Sequence, residues 1–300
     1  MELRVPMSKV DLSHLVGKKV GSSTLLKEVA RGGMAAVFAA YQSSLKRQIA
    51  VKILPKNIIT PQTAQLFQQE AELAAILSHP NIIPVYEVGD EGDFLFLAMQ
   101  LVKGQPLSYF IKRAKKNVIP SKRTLPLKTV FKVTLNVLDA MDYAHSQKII
   151  HRDIKPQNIL IEGHSKRPLI VDFGVAQASK SIDGTSDMIL GSPMYMPPEQ
   201  ILYPEVDGRA DVYAIAIMML EMMSFEPLFP GITKARDLIK MKVEREDKLF
   251  DKKPSEMNPL LNEEMDKIFS KAITYSADDR YSSCREFLIQ LEQWQDEYLR

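Results

Sequence analysis

The sequence predicts an α+β chain in two parts, a small antiparallel sheet carrying one helix and then a larger, mainly helical region. Three observations carry this. Short β-leaning runs crowd the first third, apolar residues recur at helical spacing from Leu107 onward, and Ile149 to Glu199 breaks that spacing with short strands and polar loops. In order, Ser23–Val29, Ala35–Tyr41 and Gln48–Ile53 read as strands, with Gly32-Gly33 and Ser43-Ser44 as breakers. Pro61–Ser78 follows a Thr60-Pro61 start signal and spaces Leu66, Leu73, Ala74 and Leu77 as a helix. Asp93–Met99 is a further strand behind the Gly89-Asp90-Glu91-Gly92 turn. Leu127–His145 gathers Val130, Val133, Val137, Leu138, Met141 and Ala144 on one helical face. Gly208–Phe225 is apolar nearly all round after Asp211, as a helix through a core would be, and Leu261–Ile273 and Ser282–Tyr298 complete the helices. The boundary between the parts is expected near Val102 to Gly104.

Composition narrows the class. Hydrophobic residues make up 45% and charged residues 25%, the ordinary mixture of a globular chain, and 300 residues suffice for two packed lobes. A formal charge of +2, with acids and bases interspersed, argues against nucleic acid or a membrane surface as the main partner. Cys284 is the only cysteine, which excludes an internal disulfide and fits a reducing compartment. The N-terminus lacks the basic-then-apolar layout of a secretory signal. The apolar stretch Val212–Phe225 is interrupted by Glu221 and Ser224 and is too short to cross a bilayer. A cytoplasmic location is expected.

Four signals occur in a fixed order. Ala30-Arg31-Gly32-Gly33-Met34-Ala35-Ala36-Val37 lies between two strand-like runs, where small residues let backbone N–H groups approach phosphate oxygens. A glycine hairpin would read the same way. Ala50-Val51-Lys52-Ile53 sets a lysine in an apolar strand. A buried ammonium needs an anionic partner, for which Glu70 on the next helix is the candidate. His151-Arg152-Asp153-Ile154-Lys155-Pro156-Gln157-Asn158 packs a carboxylate, an ammonium and a carboxamide behind an amphipathic helix. Phosphoryl transfer calls for such a set: a group to orient the acceptor hydroxyl, a cation for the migrating phosphoryl, and oxygen ligands for a metal. Val171-Asp172-Phe173-Gly174 ends an apolar strand and offers, with Asn158, a second oxygen ligand for a hard cation.

With these residues in this order the chain resembles the eukaryotic-like (Hanks-type) serine/threonine protein kinases over roughly Thr24 to Leu291. The wording Gly-Gly-Met, His-Pro-Asn-Ile and Pro-Pro-Glu-Gln is most similar to the bacterial branch. The resemblance implies a two-lobed kinase fold, with an N-terminal extension at 1–20, an ATP-binding lobe at 21–101 and a catalytic lobe at 102–300. It implies ATP and Mg2+ as cofactors, with Mn2+ as a substitute. Lys52 would hold the α- and β-phosphates and pair with Glu70, Asp153 would orient the acceptor hydroxyl and take its proton, and Lys155 would steady the γ-phosphoryl. Asn158 and Asp172 would hold the metal. Ala30, Arg31, Gly32 and Gly33 would cover the phosphates. Val37, Ala50 and Leu160 would sandwich adenine, and the backbone from Gln100 to Val102 would bind its edge, with Met99 gating the pocket behind. Glu199 would pair with Arg280, and Asp211 would bond to the catalytic-loop backbone. Lys155 and Gly191-Ser192-Pro193-Met194-Tyr195, which looks like a peptide-docking stretch, imply serine or threonine of protein substrates as the acceptor.

Departures from the pattern are confined to non-catalytic groups. Ala30 and Ala35 replace two glycines of the phosphate loop, Gln100 replaces a commoner acidic residue, Ser192 stands where threonine is commoner, and Pro197 replaces Ala or Ser. Arg152 beside Asp153 implies control by phosphorylation of the loop Val175 to Gly191, with autophosphorylation in trans at Ser179, Ser181, Thr185 or Ser186, foremost Thr185 or Ser186. The basic stretch Ile111–Lys128 reads as a solvated face, with docking of an acidic partner as the other reading. His79 and His151 are expected to be structural, and the Met218, Met219, Met222 and Met223 group to fill a core. Two rival functions stand beside the kinase reading. One is a pseudokinase acting as a nucleotide-binding scaffold, suggested by the altered glycine loop, and the other is a small-molecule phosphotransferase. The chain stops soon after its last helix, so an upstream signal is expected through a separate partner or a longer parent protein.

Overall fold

A computed structural model describes residues 11–32, 35–173, 193–203, 205–244 and 249–299, apart from the side chains of Leu66 and Glu70. These form two compact units, the first built from 11–78, 82–103 and Phe173, the second from 79–81, 104–172 and the described residues from 193 on.

The first unit is a six-stranded antiparallel sheet in the order β1-β2-β3-β4-β6-β5, made of β1 (Lys19–Val20), β2 (Ser23–Arg31), β3 (Ala36–Gln42), β4 (Arg47–Pro55), β5 (Val85–Asp90) and β6 (Phe94–Gln100). Strand alternation divides its residues between two faces. Leu25, Phe38, Ile49, Val51, Ile53, Phe96 and Ala98 form a core on one face. Residues 11–20, set apart as an extension on sequence grounds, add Leu12, Leu15 and Val20 to that core. The other face carries Leu54, Leu95 and Leu97, covered by α1 (Pro61–Ala75) through Phe67 and Ala71. Thr60 caps this helix, its hydroxyl accepting the Thr63 N–H at 3.1 Å, and Pro61 occupies the first turn, where no N–H is needed.

The buried face of α1 matches the expected one at Ala74 and, just past the helix end, at Leu77, and departs from it at Leu73. Phe67, Ala71 and Ala74 point inward, while Leu73 is 48% exposed and Leu66 has no described side chain. Two apolar stripes run along this helix, and the one bearing Phe67 and Ala71 packs on Leu54, Leu95 and Leu97 of the sheet.

The second unit has a three-stranded sheet, β7-β8-β9, from β7 (Gly104–Pro106), β8 (Ile159–Glu162) and β9 (Pro168–Ile170). Gly104 is required for the β7–β8 pairing, because a Cβ there would stand 2.1 Å from the Ile161 carbonyl oxygen. The helices are α2 (Leu107–Lys115), α3 (Leu127–Ser146), α4 (Pro198–Leu202), α5 (Arg209–Met223), α6 (Ala235–Glu244), α7 (Pro254–Met257), α8 (Glu263–Ala272) and α9 (Cys284–Tyr298). α5 is buried almost all round, with its four methionines in the core, and α3 and α9 pack with it. Phe131 on α3 stacks on Trp294 of α9 at 5.4 Å, and the Trp294 indole N–H donates to the Asn262 cap of α8 at 2.8 Å. None of the described helices is long and apolar enough to cross a membrane.

The basic stretch Ile111–Lys128 is only partly a solvated face. Lys112, Arg113, Lys116, Lys122 and Lys128 are exposed, but Lys115 turns inward to donate to the carbonyls of Ser224 and Glu226, and Arg123 donates to the Asn117 carbonyl.

Candidate active site

The loop between α3 and β8 takes its shape from one buried carboxylate. Asp211, on the first turn of α5, accepts the backbone N–H groups of His151 at 2.9 Å and Arg152 at 2.8 Å, and lies 2.8 Å from His145 Nε2. Burial acts to raise its pKa, yet hydrogen bonding from His145, the His145 charge and the His151 backbone N–H outweigh that and hold it below the usual carboxylate range. Gly208 leaves room for the His145 ring, since a Cβ there would stand 2.6 Å from Nδ1.

Arg152 has φ of 65°, a left-handed conformation that costs a residue with a Cβ roughly 1–2 kcal/mol. Both of its backbone groups are fixed, the N–H by Asp211 and the carbonyl by Gln200 Nε2 at 2.7 Å. His151 Nδ1 accepts the Asp153 N–H at 3.2 Å, so the ring proton lies on Nε2, which donates to the Val171 carbonyl at 3.1 Å. His79 is used in the same way, with Nδ1 accepting from the Asn81 N–H and Nε2 facing Asp139. Both histidines are structural, as the sequence reading expected.

Asp153, Lys155 and Asn158 meet around one oxygen. Lys155 Nζ donates to Asp153 Oδ2 at 2.6 Å, and Asn158 Nδ2 donates to the same oxygen at 3.1 Å and to the Asp153 carbonyl at 2.9 Å. With its Nδ2 so engaged, the Oδ1 of Asn158 is the atom whose chemistry suits a hard cation. The Asn158 carbonyl accepts the Val171 N–H at 2.9 Å, extending the β8–β9 pairing by one rung, so Asp172 emerges beside Asn158 at the end of that hairpin. Asp172 also has a left-handed φ of 62°. One carboxylate and one carboxamide oxygen suit a hard divalent cation that completes its shell with phosphate oxygens and water.

In the first unit, strand register places the expected nucleotide residues on one sheet face. Val37 pairs with Lys52, Ala39 with Ala50, Lys52 with Leu97 and Ala50 with Met99, so all share the side that α1 covers. Lys52 is buried in β4. Glu70 lies in α1, and its side chain is outside the described residues. At the β2–β3 turn Ala30 pairs with Val37 and Arg31 with Ala36, and the Gly32 N–H donates to the Ala35 carbonyl at 2.8 Å. Arg31 also bonds Glu28 at 2.7 Å, while Gly33 and Met34 fall outside the described residues. Gln100 closes β6, its N–H donating to the Pro84 carbonyl, and Val102 follows. Leu160 belongs to β8 of the second unit.

The expected docking stretch is described from Pro193. The Tyr195 hydroxyl donates to Glu221 at 2.7 Å. Burial first, then the Glu221 charge, raises the Tyr195 pKa well above its ordinary value, and burial likewise raises that of Glu221. Glu199 and Arg280 form a two-pronged pair at 2.7 and 2.8 Å, as the sequence reading expected. Lys242 of α6 donates to the carbonyls of Met194 at 2.6 Å and Met196 at 2.7 Å. Burial and, next, the Arg280 charge push its pKa well below that of an ordinary lysine, against the pull of Glu199. Sequence reasoning overlooked Lys242, the Tyr195–Glu221 bond and His145. A signal for Lys242 was present, since it falls one helical turn after Leu238 on the apolar face of α6. Ser179, Ser181, Thr185, Ser186, Gly191 and Ser192 lie outside the described residues.

Comparison with known proteins places this geometry. The family model described as protein kinase domain matches residues 23–292. The serine/threonine-protein kinase PknF of Mycobacterium tuberculosis is 30% identical across 90% of this chain and 56% of its own length. PrkC of Bacillus subtilis, a serine/threonine-protein kinase, is 34% identical across 72% of this chain and 33% of its own. The tyrosine-protein kinase MasK of Myxococcus xanthus is 29% identical across 98% of this chain and 46% of its own. The chain thus spans between a third and just over half of the length of these curated relatives. Among solved structures, the kinase domain of Mycobacterium tuberculosis PknI is 26% identical with a TM-score of 0.72, covering 93% of this chain and 98% of that one.

Proposed function

This chain belongs to the protein kinase family, and from that premise we propose that it transfers the γ-phosphoryl group of ATP to serine and threonine hydroxyls of proteins. The observation that carries the reading is the Asp153–Lys155–Asn158 cluster, with Lys155 Nζ 2.6 Å from Asp153 Oδ2. Each group has a task in moving a phosphoryl unit. The Asp153 carboxylate orients the acceptor hydroxyl and takes its proton as the new oxygen–phosphorus bond forms and the bond to the ADP oxygen breaks. Lys155 offsets the negative charge on the migrating oxygens. Asn158 Oδ1 and Asp172 hold Mg2+, for which Mn2+ can substitute, and the bound ion supplies charge neutralisation at the phosphates. Lys52 holds the α- and β-phosphates and pairs with Glu70. The turn from Ala30 to Gly33 covers the phosphates, and Val37, Ala50, Leu160 and the Gln100–Val102 backbone enclose adenine. The nucleotide-binding lobe covers 21–101 and the catalytic lobe 102–300.

Lys155 two residues after Asp153 supports serine and threonine, whereas one relative bears the name of a tyrosine kinase. Incubation with [γ-32P]ATP, Mg2+ and myelin basic protein, followed by phosphoamino-acid analysis, decides between them. Label on phosphoserine and phosphothreonine is the expected result. Label on phosphotyrosine alone would overturn the acceptor assignment, and no label dependent on Asp153 would favour the nucleotide-binding scaffold.

Arg152, fixed beside Asp153, supports control by a phosphate on the loop from Val175 to Gly191. Autophosphorylation in trans at Thr185 or Ser186 is expected, with Ser179 and Ser181 as further sites. Mass spectrometry after incubation with ATP checks this, and fully active enzyme with an unmodified loop would refute it. A cytoplasmic location completes the reading.

A further inference from the structure

Lys242 occupies a position where the helical pattern calls for an apolar side chain. Leu238 and Lys242, one turn apart on α6, are 0% and 1% exposed. Among the described residues no carboxylate lies within ion-pairing distance of its ammonium, and the nearby Arg280 charge opposes it. An ammonium cut off from water is unfavourable unless its protons are all used. Here two N–H groups reach the Met194 and Met196 carbonyls, and the ammonium nitrogen lies 5.0 Å from the centre of the Tyr213 ring, in cation–π range.

The acceptors lend this arrangement its meaning. Met194 lies in the Gly191–Tyr195 stretch that looks like a peptide-docking segment and Met196 directly follows it; this inference rests on the protein-kinase reading proposed above. Between them, Tyr195 sends its hydroxyl to Glu221 on α5. Three consecutive residues are thus fastened alternately, backbone to α6, ring to α5, backbone to α6. Pro197 and Pro198 follow and offer no N–H, and Glu199 is then held by Arg280. A leucine or methionine at position 242 would pack this core without placing a charge in it, and such replacements of buried ions are often neutral for stability. The lysine therefore serves geometry rather than packing.

We infer that Lys242 is a positioning residue that sets the path of Met194–Met196, and through it the affinity for the protein acceptor. The ammonium gathers two carbonyls that would otherwise point apart or turn toward solvent, so the segment presents a fixed edge to an incoming chain. Nucleotide handling, which uses other residues, is independent of it.

The test compares wild type with Lys242→Met and Lys242→Gln, using Mg2+-ATP and myelin basic protein. Lys242→Met is expected to raise KM for the acceptor about tenfold or more, the effect of losing two charge-assisted bonds. KM for ATP should stay within about twofold and kcat at saturating acceptor within about threefold. Lys242→Gln, which keeps N–H donors without the charge, should fall between. An unmoved acceptor KM in Lys242→Met, or a shift shared equally by ATP and acceptor, overturns the inference. Should Lys242→Met not fold, Lys242→Gln decides. Folded protein with raised acceptor KM supports the proposal, and failure to fold assigns the ammonium to stability and overturns it. Asp153-dependent labelling by wild type is measured first. Its absence removes the kinase reading and this inference together, whereas labelling with an unmoved KM removes the inference alone.

Discussion

Replacing Asp153 with Asn is expected to lower kcat for protein phosphorylation by about 10³-fold, near 4 kcal/mol of transition-state stabilisation, while ATP still binds. The substitution isolates one property. Asn has the size of Asp and keeps one side-chain oxygen, so Lys155 Nζ and Asn158 Nδ2 retain an acceptor at 2.6 and 3.1 Å. The Asp153 backbone bonds to His151 Nδ1 and Asn158 Nδ2 do not involve the carboxylate at all. What disappears is the negative charge and the capacity to take a proton from the acceptor hydroxyl. The measurement is initial-rate labelling of myelin basic protein beside a thermal unfolding curve. A variant that folds like wild type and labels at an equal rate would remove Asp153 from catalysis.

Arg280→Leu is expected to destabilise the second unit by roughly 3–5 kcal/mol, the range for removing one partner of a buried ion pair. The Arg280 side chain is 0% exposed and that of Glu199 17%. Besides the two bonds to Glu199, the guanidinium satisfies the carbonyls of Thr274 at 2.7 Å and Tyr275 at 3.0 Å and stands 4.9 Å from the Tyr213 ring. Leucine leaves all of these acceptors without their donor and one carboxylate without its counter-charge. The double variant Glu199→Leu with Arg280→Leu removes the stranded charge, and should recover a measurable part of the loss. Urea unfolding of wild type, both single variants and the double variant completes the cycle. A double variant no more stable than Arg280→Leu would show that the pair itself carries little of the effect.

The sequence was most informative where chemistry is contiguous. Asp153, Lys155 and Asn158 lie within six residues, so the short loop that holds them also fixes their spacing, and the three meet in the structure. Asn158 and Asp172 are farther apart, but the strands between them form a hairpin that returns the chain to its starting point. The distant Glu199–Arg280 pair was implied only by the family resemblance, since two charges 81 residues apart do not reveal their pairing by spacing. Lys242 carried a positional signal, one turn after Leu238, but its partners are backbone carbonyls, which have no signature in a sequence. The strand β7 escaped notice for a related reason. Gly-Gln-Pro has poor strand propensity, and it pairs only because Gly104 allows another backbone to come close. On α1, spacing alone could not decide between two apolar stripes; the sheet beneath selected Phe67 over Leu73.

Asp211 has a consequence beyond the loop it holds. The helix that bears it is the most deeply enclosed in its unit, so the reacting groups are referenced to an interior datum and not to anything at the surface. Substitutions on the outside can reshape the rim of the molecule without moving that reference. Turning α5 about its axis by one residue, some 100°, would swing the carboxylate away from both amides at once. The apolar side chains that bury the helix along its length therefore act as the bed of a gauge: the tolerance of the chemistry is inherited from how closely an apolar interior is filled.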